Sequence, residues 1–133
     1  MFHILLAEDN IGDVLLVKRA LREYEIPHEL HVVQDGGEAI DYVSRMGKPG
    51  GDPCPDLVLL DLNLPKADGA QVLTAFRKRP ECAQTPVIVV TSSNAQRDRD
   101  FMAKLGIACY FRKPSDLDEY MQLGGIVRQF VDA

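Results

Sequence analysis

Five short apolar runs alternate with longer amphipathic stretches along this chain, and that alternation leaves few folds open. The runs are His3–Ala7, Leu30–Val33, Leu57–Leu60, Val87–Val90 and Cys109–Phe111. Each is brief, rich in aliphatic residues and free of polar alternation, the pattern of a strand covered on both faces. Between them apolar residues recur at helical spacing. Val14, Leu15, Val17 and Leu21 form one stripe, and Ala39, Ile40 and Val43 a second. Val72, Leu73 and Phe76 form a third, and Phe101, Met102 and Leu105 a fourth. The fifth is Leu117, Tyr120, Met121, Val127, Phe130 and Val131. Gly124-Gly125 interrupts it at about 1 kcal/mol per glycine relative to Ala, so its second half is expected to be the weaker. Five βα units with right-handed crossovers predict an α/β fold, an open, doubly wound, five-stranded parallel sheet.

Turn chemistry agrees. Asp35-Gly36-Gly37 reads as a turn, Pro65 to Asp68-Gly69 as a loop entering a helix, and Gly106 as a helix terminus. Gly47 to Pro55 is dense in breakers and predicts a long surface loop before the third strand. At 133 residues the chain is of single-domain size, and folding buries roughly two-thirds of the unfolded surface. Residues 1–133 are therefore read as one domain. With 15 bases against 20 acids, the chain lacks the basic excess that a nucleic-acid or membrane partner requires. Cys54, Cys82 and Cys109 form no CxxC motif, and His3, His28 and His31 complete no metal cluster. They read as three reduced thiols of a cytoplasmic protein. The N-terminal run is too short for a signal sequence and meets Glu8-Asp9 at once.

In an open parallel sheet, sites lie beyond the carboxyl ends of the strands. There the first run ends in Glu8-Asp9, the third in Asp61 and the fourth in Thr91, and the fifth is followed by Lys113-Pro114. Singly each has an ordinary explanation: a helix cap, a β-branched strand residue, a solvated lysine. Together they place three mutually repelling carboxylates in one cleft, an arrangement that a hard cation relieves. Oxygen ligands with few protein contacts suit Mg²⁺ better than zinc. One carboxylate there can attack phosphorus and form an aspartyl phosphate, with metal and lysine offsetting the charge of the phosphoryl oxygens. Asp13 reads as a favourable charge at the start of the first helix, and Arg77-Lys78-Arg79 as cations at a helix end.

Glu8-Asp9-Asn10, Asp61-Leu62-Asn63-Leu64-Pro65, Asp68-Gly69, Thr91-Ser92-Ser93 and Lys113-Pro114 resemble the receiver domain of two-component response regulators. Thr91 follows Asp61 by 30 residues and Lys113 by 52, as in that family. The resemblance covers essentially the whole chain. It implies a flavodoxin-like topology with strand order 2-1-3-4-5 and a phosphoacceptor signalling protein rather than an enzyme acting on a separate substrate. By the resemblance Asp61 is the phosphoacceptor, and Glu8 and Asp9 are the acidic pair for Mg²⁺. The main-chain carbonyl of Asn63 is a further ligand, Thr91 and Lys113 sense the phosphoryl group, and Tyr110 is the switch aromatic. A cis Lys113-Pro114 peptide is likewise implied. The long 47–55 loop, with the Glu-Asp-Asn start, is similar to single-domain regulators paired with bacterial phytochrome histidine kinases. With no output domain expected, the signal should leave through a homodimer on the face of the fourth helix, fifth strand and fifth helix. Arg99 would set its register, and Phe101 or Tyr120 would anchor it.

Three other classes compete. A phosphatase of the haloacid-dehalogenase type also uses an aspartyl phosphate with Mg²⁺, but its nucleophile follows the first strand and it needs a cap. A flavodoxin-like cofactor protein needs a neutral phosphate cradle where this chain has Glu8-Asp9, and no GxGxxG or GxxxxGK[ST] is present. A receiver-shaped scaffold that is never phosphorylated would have no use for the full residue set.

Overall fold

The computed structural model describes residues 1–51 and 53–131. Five strands, β1 (Phe2–Ala7), β2 (His28–Val33), β3 (Leu57–Leu60), β4 (Val87–Thr91) and β5 (Cys109–Arg112), alternate with five helices. These are α1 (Ile11–Glu23), α2 (Gly36–Arg45), α3 (Gly69–Arg77), α4 (Gln96–Lys104) and α5 (Leu117–Val131). All strand pairs are parallel, in the order β2-β1-β3-β4-β5, as expected.

The apolar runs of β1, β3 and β4 are explained by a core on each side of the sheet, whereas β2 and β5, expected to be covered on both faces, are edge strands and only partly buried. Leu5, Ala7, Val58, Leu60, Val87 and Val89 face α2 and α3, packing on Tyr42, Val43, Val72, Leu73 and Phe76. Their chain neighbours Ile4, Leu6, Leu57, Leu59, Ile88 and Val90 face α1 and α5, on Val17, Leu21, Leu123 and Val127. Successive strand residues point to opposite faces, so a strand buried on both must be apolar throughout.

Local chemistry sets the helix starts. Asn10 caps α1 by accepting from the Asp13 N–H, and Asp68 forms a capping box with Gln71 at α3. Asp35 caps α2 through the Glu38 N–H at 2.7 Å, so Gly36 and Gly37 are the first helical turn rather than a free turn. Gly36 is demanded there by close approach, since a Cβ would lie 1.7 Å from the Ala67 carbonyl oxygen. The same argument reverses the expectation for α5, which runs without a break through Gly124-Gly125. A Cβ on Gly124 would sit 2.4 Å from the Ala20 carbonyl oxygen of α1. The glycine lets α1 and α5 approach closely, and that packing offsets its poor propensity.

Two further expectations are corrected. The Lys113-Pro114 peptide is trans, because no cis bond occurs among the described residues, and trans is the ordinary state of an X–Pro bond. The cysteines are not three thiols either. The 47–55 loop, of which Asp52 lies outside the described residues, meets the turn that follows α3. It pairs Cys54 with Cys82, in the 3₁₀ turn Pro80–Cys82, at a Cα–Cα distance of 5.6 Å. Sequence spacing carries no information about that approach; only Cys109 keeps a free thiol, and burial raises its pKa. The pair closes a 28-residue loop, for which chain entropy predicts about 3.5 kcal/mol of stabilisation. Denaturant unfolding with and without reductant should show a lower midpoint for the reduced protein; equal midpoints would contradict this.

Arg77 and Arg79 do more than favour a helix end. Arg77 donates to the carbonyls of Leu105, Ala83, Thr85 and Gly106, and Arg79 to those of Val43 and Met46. They tie α3 to the surrounding loops and are structural.

Candidate functional site

The parallel register brings the carboxyl ends of β1, β3, β4 and β5 to one edge of the sheet. Glu8 directly follows β1, its N–H donating to Val33 at 3.0 Å; Asp61 directly follows β3, its N–H donating to Ala7 at 3.0 Å. Thr91 ends β4 and accepts the Lys113 N–H on its carbonyl at 2.7 Å. Glu8, Asp61 and Thr91 are 1%, 6% and 0% exposed, whereas Asp9 is exposed.

The Lys113 ammonium is the hub. Its Nζ lies 2.7 Å from Glu8 Oε1, 2.9 Å from Asp13 Oδ2 and 3.1 Å from Asp61 Oδ2. The remaining carboxylate oxygens are also engaged. Glu8 Oε2 accepts from the Asn10 N–H at 3.2 Å, and Asp61 Oδ1 from the Asn63 N–H at 3.2 Å. Asp13 Oδ1 accepts from the Tyr120 hydroxyl at 3.1 Å. Burial pushes the Glu8 carboxyl up to about 7 and the charge of Asp61 adds to this, while Lys113 pulls it down. Burial works against the charge on Lys113 as well. The hydrogen bonds to Glu8 and Asp13, with the charges of Asp61 and Glu8, outweigh it and hold the ammonium above its ordinary range. Burial, then Asp13, keeps the Tyr120 phenol protonated far beyond its usual range.

Glu8, Asp9 and Asp61 each offer an oxygen within 4.8 Å of the others, the one such cluster among the described residues. These three residues would hold a hard divalent cation such as Mg²⁺, which would relieve their mutual repulsion. An all-oxygen donor set with two buried acids suits a hard divalent cation.

Thr91 and Tyr110 meet through one residue. The Ser93 N–H donates to Thr91 Oγ1 at 3.3 Å, and the Tyr110 hydroxyl donates to the Ser93 carbonyl at 2.9 Å. Arg99 lies over the Tyr110 ring at 4.5 Å, and Ser93 Oγ donates to Asp98 at 2.5 Å. The structure thus brings together Glu8, Asp9, Asp61 and Lys113, with Thr91 and Tyr110 linked beside them. Asn63 is exposed, and its observed contact is the N–H to Asp61. Two residues of the site escape sequence reasoning. Asp13 reads as a helix-start charge and Tyr120 as a core stripe residue, because their partners lie 100 and 107 residues away.

Comparison with known proteins fits this geometry. Response regulator Rcp1 of Synechocystis sp. is 37% identical over 120 residues, covering 90% of this chain and 82% of Rcp1. The phosphorylated cyanobacterial phytochrome response regulator RcpA superposes with a TM-score of 0.88 at 37% identity, over 98% of this chain and 94% of that one. The Mn(2+)-bound form of Rcp1 gives 0.87 at 34% identity, over the same 98% and 94%. The position of Asp61 after β3 rather than β1 disfavours the phosphatase, and acids at the end of β1 disfavour an anionic cofactor. The response regulator receiver domain matches residues 4–123, and the chain belongs to that family.

Proposed function

We propose that this chain accepts a phosphoryl group on Asp61 from a phosphohistidine of a histidine kinase in the cytoplasm. The observation that carries the reading is the convergence on one sheet edge of Asp61 with Glu8, Asp9, Thr91 and Lys113. An Asp61 carboxylate oxygen attacks phosphorus, a P–O bond forms, the P–N bond breaks, and the imidazole leaves as the neutral base after taking up a proton. Lys113 is placed to pair with a phosphoryl oxygen, and the Thr91 hydroxyl to donate to another. Mg²⁺, held by Glu8, Asp9, Asp61 and the Asn63 carbonyl, would supply positive charge to the transferring group. The relatedness to phytochrome response regulators favours a bacterial phytochrome kinase as the donor. Phosphotransfer from autophosphorylated, labelled histidine kinases tests this. Label should move to the chain fastest from a phytochrome-class kinase and be released by hydroxylamine, as an acyl phosphate is. Stable label, or no transfer from any kinase, would overturn the reading.

The output is a homodimer through α4, β5 and α5. Its apolar anchor is Phe101, 51% exposed, and not Tyr120, which is 2% exposed and bonded to Asp13. Arg99 is engaged on Tyr110 and on Asn94, so its release from the ring on phosphorylation would free a charge for the partner. Light scattering with a beryllofluoride mimic should show a dimer in the wild type that Phe101→Ala weakens at least tenfold. A dimer indifferent to Phe101 would move the interface elsewhere. No helix among the described residues is long and apolar enough to cross a membrane.

A further inference from the structure

We propose that Asp13 and Tyr120 are positioning residues for phosphoryl transfer, a hydrogen-bonded pair that holds the Lys113 ammonium in place when its other carboxylate partners are taken up. The proposal rests on Asp61 being the acceptor. Three carboxylates share Lys113, but they are not equivalent. Glu8 and Asp61 belong to the acidic cluster suited to a divalent cation, and Asp61 is also the group that changes on phosphorylation. Asp13 lies outside that cluster, on the first turn of α1, with Oδ2 at 2.9 Å from Nζ. It is the partner that neither metal nor phosphoryl group removes. A lysine on a flexible four-carbon stem, released by Glu8 and Asp61, would otherwise be free to leave the site.

The two oxygens of Asp13 are divided between two donors, Oδ2 to Lys113 and Oδ1 to the Tyr120 hydroxyl at 3.1 Å. That division fixes the plane of the carboxylate and with it the place of the ammonium. The phenol itself is packed in the core. Tyr120 is 2% exposed in the core beneath α1 and α5, and its ring meets Phe111 edge-on at 6.0 Å. Packing alone would be served by Phe at this position. A buried hydroxyl costs stability unless it is bonded, and here its bond is aimed at the partner of the lysine. Orientation of a charged group is worth most where charge develops during reaction, since a small misplacement is felt in the rate.

The test is the rate of Mg²⁺-dependent phosphorylation by acetyl phosphate, followed by intact mass at saturating Mg²⁺, with Mg²⁺ affinity from calorimetry. Tyr120→Phe, lacking one hydroxyl, should slow the maximal rate about fivefold, the worth of one hydrogen bond. Its Mg²⁺ affinity should stay within about twofold of wild type, as a bond of that size outside the cluster allows. Asp13→Asn should slow the reaction at least tenfold, in line with a bond to a charged group. The double variant should be no slower than Asp13→Asn alone, because Tyr120 acts through Asp13. An unchanged rate in Tyr120→Phe overturns the proposal, as do multiplicative losses in the double variant. So does a fall in Mg²⁺ affinity that matches the fall in rate, which would mean general damage to the site. Tyr120→Phe decides the matter even if Asp13→Asn fails to fold. Wild type that takes no label at Asp61 would instead refute the acceptor reading, so the two failures are distinct.

Discussion

Asp61→Asn should take up no phosphoryl group from acetyl phosphate and Mg²⁺ under conditions that label the wild type fully, as read by intact mass. Three carboxylates approach one another at the sheet edge, but Glu8 and Asp9 are not placed to substitute. Glu8 is almost fully buried, and its two oxygens are committed to Lys113 and to the Asn10 N–H. Asp9 is exposed, and no contact with Lys113 is among those of the ammonium. Asp61 directly follows the central strand, bonded to Lys113 and beside β4, whose last residue is Thr91. Glu8 shares the Lys113 ammonium but follows β1, whereas Asp61 follows the strand paired with β4, which places both Lys113 and the strand end bearing Thr91 beside it. The variant should still fold, because the amide oxygen can accept from the Asn63 N–H and one of the mutually repelling charges is gone. Full labelling of Asp61→Asn, or a wild-type label that maps to Asp9, would overturn the assignment.

The sheet was legible because each βα unit announces itself locally. An aliphatic run such as Leu57–Leu60, too short for a buried helix and flanked by amphipathic stretches, reads as a strand buried on both faces. The strand order and the acidic cluster followed from the resemblance and the rule that sites gather at strand ends. What was not legible depends on distant approach. Cys54 and Cys82 lie 28 residues apart, and nothing in their neighbourhoods reports the 5.6 Å between their Cα atoms. Gly124-Gly125 looked like a weak point because propensity is a local property, whereas its reason is the Ala20 carbonyl of another helix. Tyr120 fits an apolar stripe at helical spacing, which by itself accounts for the residue without its hydroxyl. A tyrosine in a buried stripe does carry a signal, since its phenol must find a partner, but the sequence does not name it.

The second large effect is expected in stability rather than transfer. Lys113→Met keeps most of the alkyl stem and removes the charge, leaving Glu8, Asp13 and Asp61 without their shared cation. Removing one partner of a buried ion pair costs about 3–5 kcal/mol. Glu8 limits the loss by taking a proton, and that gives the effect a pH signature. In the wild type its folded carboxyl holds a proton up to about 7, against 4.5 for the free group. Between those values the folded state binds more protons than the unfolded one, so this group lowers stability as pH rises through the window. Without Lys113, which pulls the Glu8 carboxyl down, the folded pKa climbs further. The variant should therefore be about 3 kcal/mol less stable than wild type at pH 8, less than the upper figure because protonation intervenes. The deficit should shrink by about 1 kcal/mol at pH 5, where Glu8 is protonated in both proteins but Asp13 and Asp61 still lack their cation. Millimolar Mg²⁺ should restore part of the loss at pH 8, because a cation bound to the folded state alone stabilises it. Urea unfolding at the two pH values, with and without Mg²⁺, measures all of this. Equal stability of variant and wild type at pH 8 without metal would mean that Lys113 does not neutralise the cluster.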